Sequence, residues 1–390
     1  MSTPTNVRSD VTQEEAAELL SDLVSFDSQN PPGREAAVAK FVAGRLDEWG
    51  IDAQLVPRPY EDRPQVVAEV GDGDPEAGTL VLNGHLDVVP PGDAEQWTHD
   101  PFGGTIEGDR VYGRGASDMK GGVAAGMLAL RAAHEAGVDG RVILTCAIGE
   151  ETAEPGTKTL LEEIDGDWGI VLEPTELMVD TVGKGLAWYE IEVRGTSSHA
   201  SQPHLGANVL DALFAFSEHL QSYRERISER EHPLVGTSLC SPTMLEAGTK
   251  ENVIPDSATL TLDRRFLPDE DVADIDDEID ALCDPLRADG FDVSVERTRT
   301  YEAAEIDVDD EIAEVVREHS ADVAGVDTAP HGKVASTDQR NFVNDANIPA
   351  IIWGPGTSPQ SHTVDEWART DLLVDGVEIL CRTIDDLCTN

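Results

Sequence analysis

The feature that most constrains the fold is a change of rhythm near Thr181. Before it, segments of helical periodicity alternate with short apolar runs that read as strands. Helical spacing covers 14–24 and 35–49, the second closed by Gly50, while 66–70 and 79–82 read as strands. A helix of small residues follows at 121–136, then apolar β runs at 141–148 and 169–172. Such alternation predicts an α/β sheet covered by helices. After Thr181 the order becomes strand 186–193, helix 208–223, strands 237–245 and 258–266, acidic helix 271–286 and strand 291–295. That β-α-β-β-α-β order is the ferredoxin-like split βαβ arrangement. A helix at 310–320 and a buried-strand run at 350–353 then return to the first character. The expectation is an α/β domain with a mixed central sheet, built from 1–181 and 299–390 and interrupted by an inserted α+β domain at 182–298.

A chain of 390 residues is comfortable for two domains, and 39% hydrophobic residues suffice for packed cores. No apolar run approaches the roughly 20 residues of a membrane-spanning helix. Residues 1–10 lack the layout of a signal peptide, so a cytoplasmic protein is expected. The net charge is −49, and only six of the 28 cations are lysines. A polyanion of this size repels nucleic acid and anionic membranes, so neither is an expected partner. The acid is spread along the chain, which fits a hydrated surface suited to a salt-rich, halophilic cytoplasm better than an interaction tail. Cys146, Cys240, Cys283, Cys381 and Cys388 are an odd, scattered set without C-x-x-C, which argues against disulfides and thiolate zinc.

The chemically suggestive residues lie at strand ends and in the loops after them, where open α/β sheets place their sites. In Asn83-Gly84-His85-Leu86-Asp87, a strand points His85 and Asp87 to one face. A metal-bound imidazole commonly has its second nitrogen held by a carboxylate, though the pair alone is equally compatible with a structural role. Gly113-Arg114-Gly115-Ala116-Ser117-Asp118 turns on its glycines and delivers Asp118 to the following helix. It fits no phosphate-loop pattern, and Asp118 alone could be a helix N-cap. Glu150 and Glu151 follow the 141–148 run. They form either a solvated turn or, beside a metal, a ligand and a general base. Glu173 ends another buried strand, and His362 lies in Ser361-His362-Thr363-Val364-Asp365-Glu366, just past Gly354-Pro355-Gly356.

In this order and spacing the five segments resemble the M20 metallopeptidase family, which includes acetylornithine deacetylase, succinyl-diaminopimelate desuccinylase, aminoacylase and the glutamate carboxypeptidases. The likeness runs from near Glu14 to near Asp385. It implies a zinc-peptidase-like catalytic domain and makes the insert a dimerisation or lid domain. His85, Asp118 and Glu173 become ligands of one divalent ion, and Asp118, Glu151 and His362 of a second, with Asp118 bridging. Asp87 becomes the partner of His85, and Glu150 the general base. Two zinc ions are expected, with cobalt or manganese as alternatives.

In the insert, Gly195-Thr196-Ser197-Ser198-His199-Ala200 resembles the family segment whose histidine reaches a neighbouring subunit's site. The resemblance implies a homodimer and an oxyanion role for His199, against the plainer reading of a surface-loop histidine. Asn252 and Arg265 match positions that bind the substrate carboxylate, with Arg264 a neighbour open to the same role. Ser336 lies in a segment resembling a pocket-lining loop, and His204 and His331 stay undecided. The expected reaction is hydrolysis of the amide bond of an N-acyl amino acid, a tilt given by Glu173 where family aminopeptidases tend to carry Asp. A dipeptidase, aminopeptidase or carboxypeptidase is the rival. A binding module with a disabled metal site would show a broken ligand set, and here all five ligands and Glu150 are present.

Overall fold

The computed structural model describes residues 6–74 and 76–390, and their contacts divide into two compact units. One runs to Val182 and resumes over Glu305–Gly332 and Thr337–Asn390; the other holds Gly183–Ala304 and Lys333–Ser336. The return boundary expected at 298/299 falls inside a strand, Asp292–Tyr301. A register shift between Arg297 and Arg299 breaks the alternation there, which is why the strand reads as ending early.

The first unit is organised by a mixed sheet whose path runs Ala53–Tyr60, Arg63–Val70, Arg141–Ala147, Thr79–His85, Trp168–Val171, Ala350–Ile352 and Asp180–Gly183. The strand Thr79–His85 pairs in parallel with both neighbours, and Ala350–Ile352 is parallel to Trp168–Val171. Both faces of these strands are covered. Leu80, Leu82, Val142, Leu144, Ile170 and Ile351 join a core formed with helices Gln13–Val24, Gly121–Ala136, Glu311–Ala324 and Thr370–Cys388. The alternate residues Val81, Ile143, Val171 and Ala350 pack on the other face with Leu161, Phe342 and Ile348. Burial on two sides is why these strands read as continuous apolar runs.

The second unit carries a four-stranded antiparallel sheet in the order Leu239–Ala247, Ser257–Phe266, Gly185–Arg194, Asp292–Tyr301. Helices Val209–Ile227 and Val272–Leu282 start on the side-chain caps Asn208 and Asp271 and pack on one sheet face. The acidic helix expected over 271–286 is two helices, because Pro285 has no N–H to continue the ladder and instead opens the short helix Asp284–Ala288. No helix among the described residues is long and apolar enough to cross a membrane.

Candidate metal centre

Parallel register brings the chemistry to one edge of the first unit. His85 is the last residue of its strand and lies opposite Ala147, three residues before Glu150. Asn83 lies opposite Val171, two residues before Glu173. Asp118 arrives on the loop ahead of helix Gly121–Ala136. There Gly115 adopts φ +84, and a Cβ on it would meet Val88 at 2.4 Å. Gly122 lets that helix approach the strand end behind Glu173, since a Cβ there would stand 2.0 Å from the carbonyl oxygen of Leu172. Asp118 itself is extended, with φ −121 and ψ 95, and its side chain caps nothing in the helix. The N-cap alternative is overturned.

The His85 imidazole is buried, and its Nδ1 bonds the backbone carbonyl oxygen of Asp87 at 2.9 Å. A carbonyl only accepts, so Nδ1 carries a proton, which leaves Nε2 as the nitrogen turned towards the carboxylates. That Nε2 makes no hydrogen bond, yet stands 3.4 Å from Asp118 Oδ1 and 3.8 Å from Glu173 Oε1. His362 Nε2 lies 3.4 Å from Asp118 Oδ2 and 3.2 Å from Glu151 Oε2. Two ligand atoms about 2.1 Å from a tetrahedral ion stand roughly 3.4 Å apart, so this donor set fits divalent metal. His85, Glu150 and Glu173 also converge closely enough to hold an ion, as do His85, Asp118 and Glu151.

Burial opposes the charged form of His85, but Asp118, Asp87, Glu150 and Glu151 outweigh it and hold its pKa well above the usual range. Burial pushes the Glu150 carboxyl up, against the pull of His85 and with the help of Glu173, Asp338 and Glu151. Glu151 is raised by burial too, with its bond to His362 acting the other way. That same bond, ahead of the opposing effect of burial, takes His362 up to about 9. Carboxylate is in excess here, and the cluster calls for cations.

The Asp87 carboxylate does something the sequence did not announce. It stands 3.7 Å from His85 Nδ1 and is occupied instead with the neighbouring loop, accepting the N–H groups of Gly149, Glu150 and Glu151 at 2.9, 3.3 and 3.1 Å. Asn30 Nδ2 adds a bond at 3.2 Å. Asp87 thus aims Glu150 and Glu151, while its backbone orients His85. Arg340 was also unforeseen: its Nη1 lies 3.8 Å from Glu150 Oε1, and Nη2 lies 3.4 Å from Asp338 Oδ1. Asp338 is held in turn by Thr157 at 2.6 Å. Asp338 already closed the segment that resembles a pocket-lining loop, and Arg340 stands two residues beyond it, which was the available signal.

In the second unit, His199 and Asn252 come together on one small ribbon, where Ser198–His199 pairs with Val253–Ile254. The His199 ring is exposed and fixed by Ser201 Oγ at 2.8 Å from Nδ1. Arg264 and Arg265 alternate across their strand and separate cleanly. Arg264 points into the core and is engaged by Tyr223 and Glu270, a structural role. Arg265 is on the opposite face, partly exposed, with Nε and Nη2 on Asp263 at 2.8 and 3.1 Å. Ser336 bonds the carbonyl oxygen of Glu302 at 3.4 Å.

An α/β sheet that gathers histidines and carboxylates at its strand ends defines a class of metal-dependent hydrolase. The chain belongs to peptidase family M20/M25/M40, whose family model matches residues 81–386, and is a hydrolytic enzyme of amide or peptide bonds. A probable succinyl-diaminopimelate desuccinylase of Staphylococcus epidermidis is 26% identical, across 95% of this chain and 96% of its own. An N-formyl-4-amino-5-aminomethyl-2-methylpyrimidine deformylase of Bacillus subtilis is 28% identical, across 97% of this chain and 95% of its own. Among solved structures, an M20 family metallo-carboxypeptidase from Sulfolobus solfataricus shares the fold, with a TM-score of 0.80 and 20% identity over 95% of this chain and 98% of that one.

Proposed function

We propose that the enzyme removes the acyl group from an N-acylated amino acid, in the manner of an acetylornithine deacetylase or a succinyl-diaminopimelate desuccinylase. The observation that supports this reading is the buried carboxylate of Glu150 converging with His85 and Glu173, next to Asp118 and Glu151 that His362 meets at ligand spacing. Two divalent ions, zinc with cobalt or manganese as alternatives, would be held by His85, Asp118 and Glu173 and by Asp118, Glu151 and His362, and when bound would acidify a water and polarise the scissile carbonyl.

Glu150 takes a proton at its carboxylate and returns it to the leaving nitrogen. Asp87 keeps that carboxylate aimed by holding the backbone of 149–151, and Arg340 flanks Oε1. His199 stabilises the oxyanion across a symmetric pair of chains, while Arg265 and Asn252 take the substrate carboxylate and Ser336 lines the pocket. The two relatives support an N-acyl substrate, since both are named for stripping an acyl group, succinyl or formyl, from an amine. The test is a panel of acetylornithine, succinyl-diaminopimelate and a free-amine dipeptide offered to the metal-loaded enzyme. Turnover of an N-acyl amino acid is expected; cleavage of the dipeptide alone overturns the reading in favour of a peptidase.

A further inference from the structure

The segment that supplies His362 continues into a fully buried carboxylate, Glu366. Its Oε2 pairs with Arg114 Nη1 at 2.5 Å, and its Oε1 accepts the backbone N–H groups of Ser117 at 2.9 Å and Asp118 at 3.1 Å. Its own carbonyl oxygen accepts the Gly113 N–H at 2.9 Å. Three backbone N–H groups of the loop that delivers Asp118, those of Gly113, Ser117 and Asp118, therefore end on one residue from the far end of the chain. One position earlier, Asp365 accepts the N–H and hydroxyl of Thr98 at 2.6 and 2.8 Å. His362 and Asp365 both adopt left-handed backbone, φ 63 and φ 55. The turn that carries His362 is thus bent into place and anchored directly downstream. Arg114 is buried as well, with its guanidinium 5.2 Å above the Trp97 ring.

Burying a carboxylate and a guanidinium costs several kcal/mol per ion, and apolar residues of similar volume would fill such a space at less cost. What an apolar pair cannot supply is an acceptor for the two N–H groups at Ser117 and Asp118. Asp118 has non-helical torsions, so its N–H lies outside the regular ladder of the following helix.

We propose that Glu366 is a positioning residue for the metal centre: its carboxylate sets the backbone of Asp118, and its own segment sets His362, so both reach one ion in fixed relation. The inference rests on the two-ion reading above. It does not make Glu366 a ligand or a proton carrier.

The test titrates zinc into the metal-depleted full-length chain against a chromogenic chelator and follows thermal unfolding of the same samples. The double variant Arg114→Met/Glu366→Leu removes both charges and both acceptors while keeping the volume filled. It is expected to stay folded and to bind the more weakly held zinc 10–100-fold less tightly, the loss typical of a lost partner behind a ligand. Excess zinc should restore kcat with KM unchanged, which a merely structural defect would not allow. Glu366→Gln keeps an oxygen for the two N–H groups and should lose less. If the double variant fails to fold, Glu366→Asp takes its place; it retains the charge but draws the carboxylate back by roughly one bond, about 1.5 Å, and should show the same weakening. A folded variant lacking the acceptor that binds both zinc ions as tightly as the unaltered chain overturns the inference. An unaltered chain that binds fewer than two overturns instead the two-ion reading beneath it.

Discussion

Two glutamates, one in each unit, have side chains that are both 6% exposed: Glu151 and Glu270. Their pKa values move in opposite directions. Burial works against ionised Glu270, but Ser238, the Leu267 N–H and the guanidiniums of Arg264 and Arg230 win, and its pKa falls below the usual value. Glu151 is raised by burial, and beside it stand Asp118, two imidazoles and the more strongly raised Glu150. Equal side-chain exposure does not make them alike: burial dominates at Glu151, whereas hydrogen-bond donors and two guanidiniums outweigh it at Glu270. In the second unit charge closes on itself, with Glu270 and Glu278 set against Arg230 and Arg264. In the first, carboxylate is gathered beyond what the nearby cations offset, a state that makes sense when cations come from outside.

Substitutions in the two clusters should therefore fail in different ways. The largest effect is expected from Asp118→Ala, which shortens the ligand set of both ions. Zinc affinity should fall at both positions, by more than the roughly 10–100-fold that loss of an outer partner costs, so that zinc content after dialysis drops, while the metal-free chain unfolds no earlier. Two tightly held ions in that variant would break the comparison. Glu270→Ala should do the reverse. It leaves Arg264 buried and uncompensated, so urea unfolding should show a loss of about 3–5 kcal/mol with zinc binding unchanged. Glu150→Gln keeps shape and metal but removes the proton carrier, and kcat should drop about 10²-fold or more. Near-normal turnover would take Glu150 out of the chemistry.

A smaller effect concerns pH. Because the folded pKa of Glu270 is depressed, its stabilising contribution is complete above the ordinary glutamate range and fades only as pH falls through the lower folded value. Acid unfolding of the unaltered chain should therefore show a step below pH 4.5 that is missing in Glu270→Gln. Smallest is the salt response expected from a net charge of −49: the urea midpoint should rise between dilute buffer and molar KCl. Equal midpoints would sever the acidic surface from a salt-rich habitat.

How much of this was legible depended on where the information sits along the chain. Apolar runs ending in His85, Glu150 with Glu151, and Glu173 could be read because parallel strands buried on both faces have a plain signature, and their ends share an edge. The ferredoxin-like order of the second unit was readable from a different signature, the alternation of half-buried antiparallel strands with amphipathic helices. The strand Ala53–Tyr60 was not, because Pro57 and Pro59 argue against a strand, although an outermost strand tolerates them. Helix Thr370–Cys388 went unread despite Leu373, Val377, Leu380, Ile384 and Leu387 at helical spacing. The roles of Asp87 and Glu366 had no such signal. Their partners are backbone N–H groups of distant loops, and every residue type except proline offers that donor. The split between Arg264 and Arg265 needed only strand alternation, and the core-facing set Ala258, Leu260 and Leu262 already pointed to the first as structural.

The strand Ala350–Ile352 sits in the interior of the first sheet, between Trp168–Val171 and Asp180–Gly183. On the ribosome this fixes an order of birth. Synthesis proceeds at about 5–20 residues per second, so the second unit can close while the first still waits for an interior strand. During that wait the edge at Trp168–Val171 is open, and Glu173 lies just beyond it. An unpaired edge invites mispairing with other chains, and the repulsion of a strongly acidic nascent chain is a natural deterrent. His362 emerges later still, after most of the site has been made. The meeting of that histidine with Asp118 and Glu151 is therefore left to the end, when nearly all of the chain has been made.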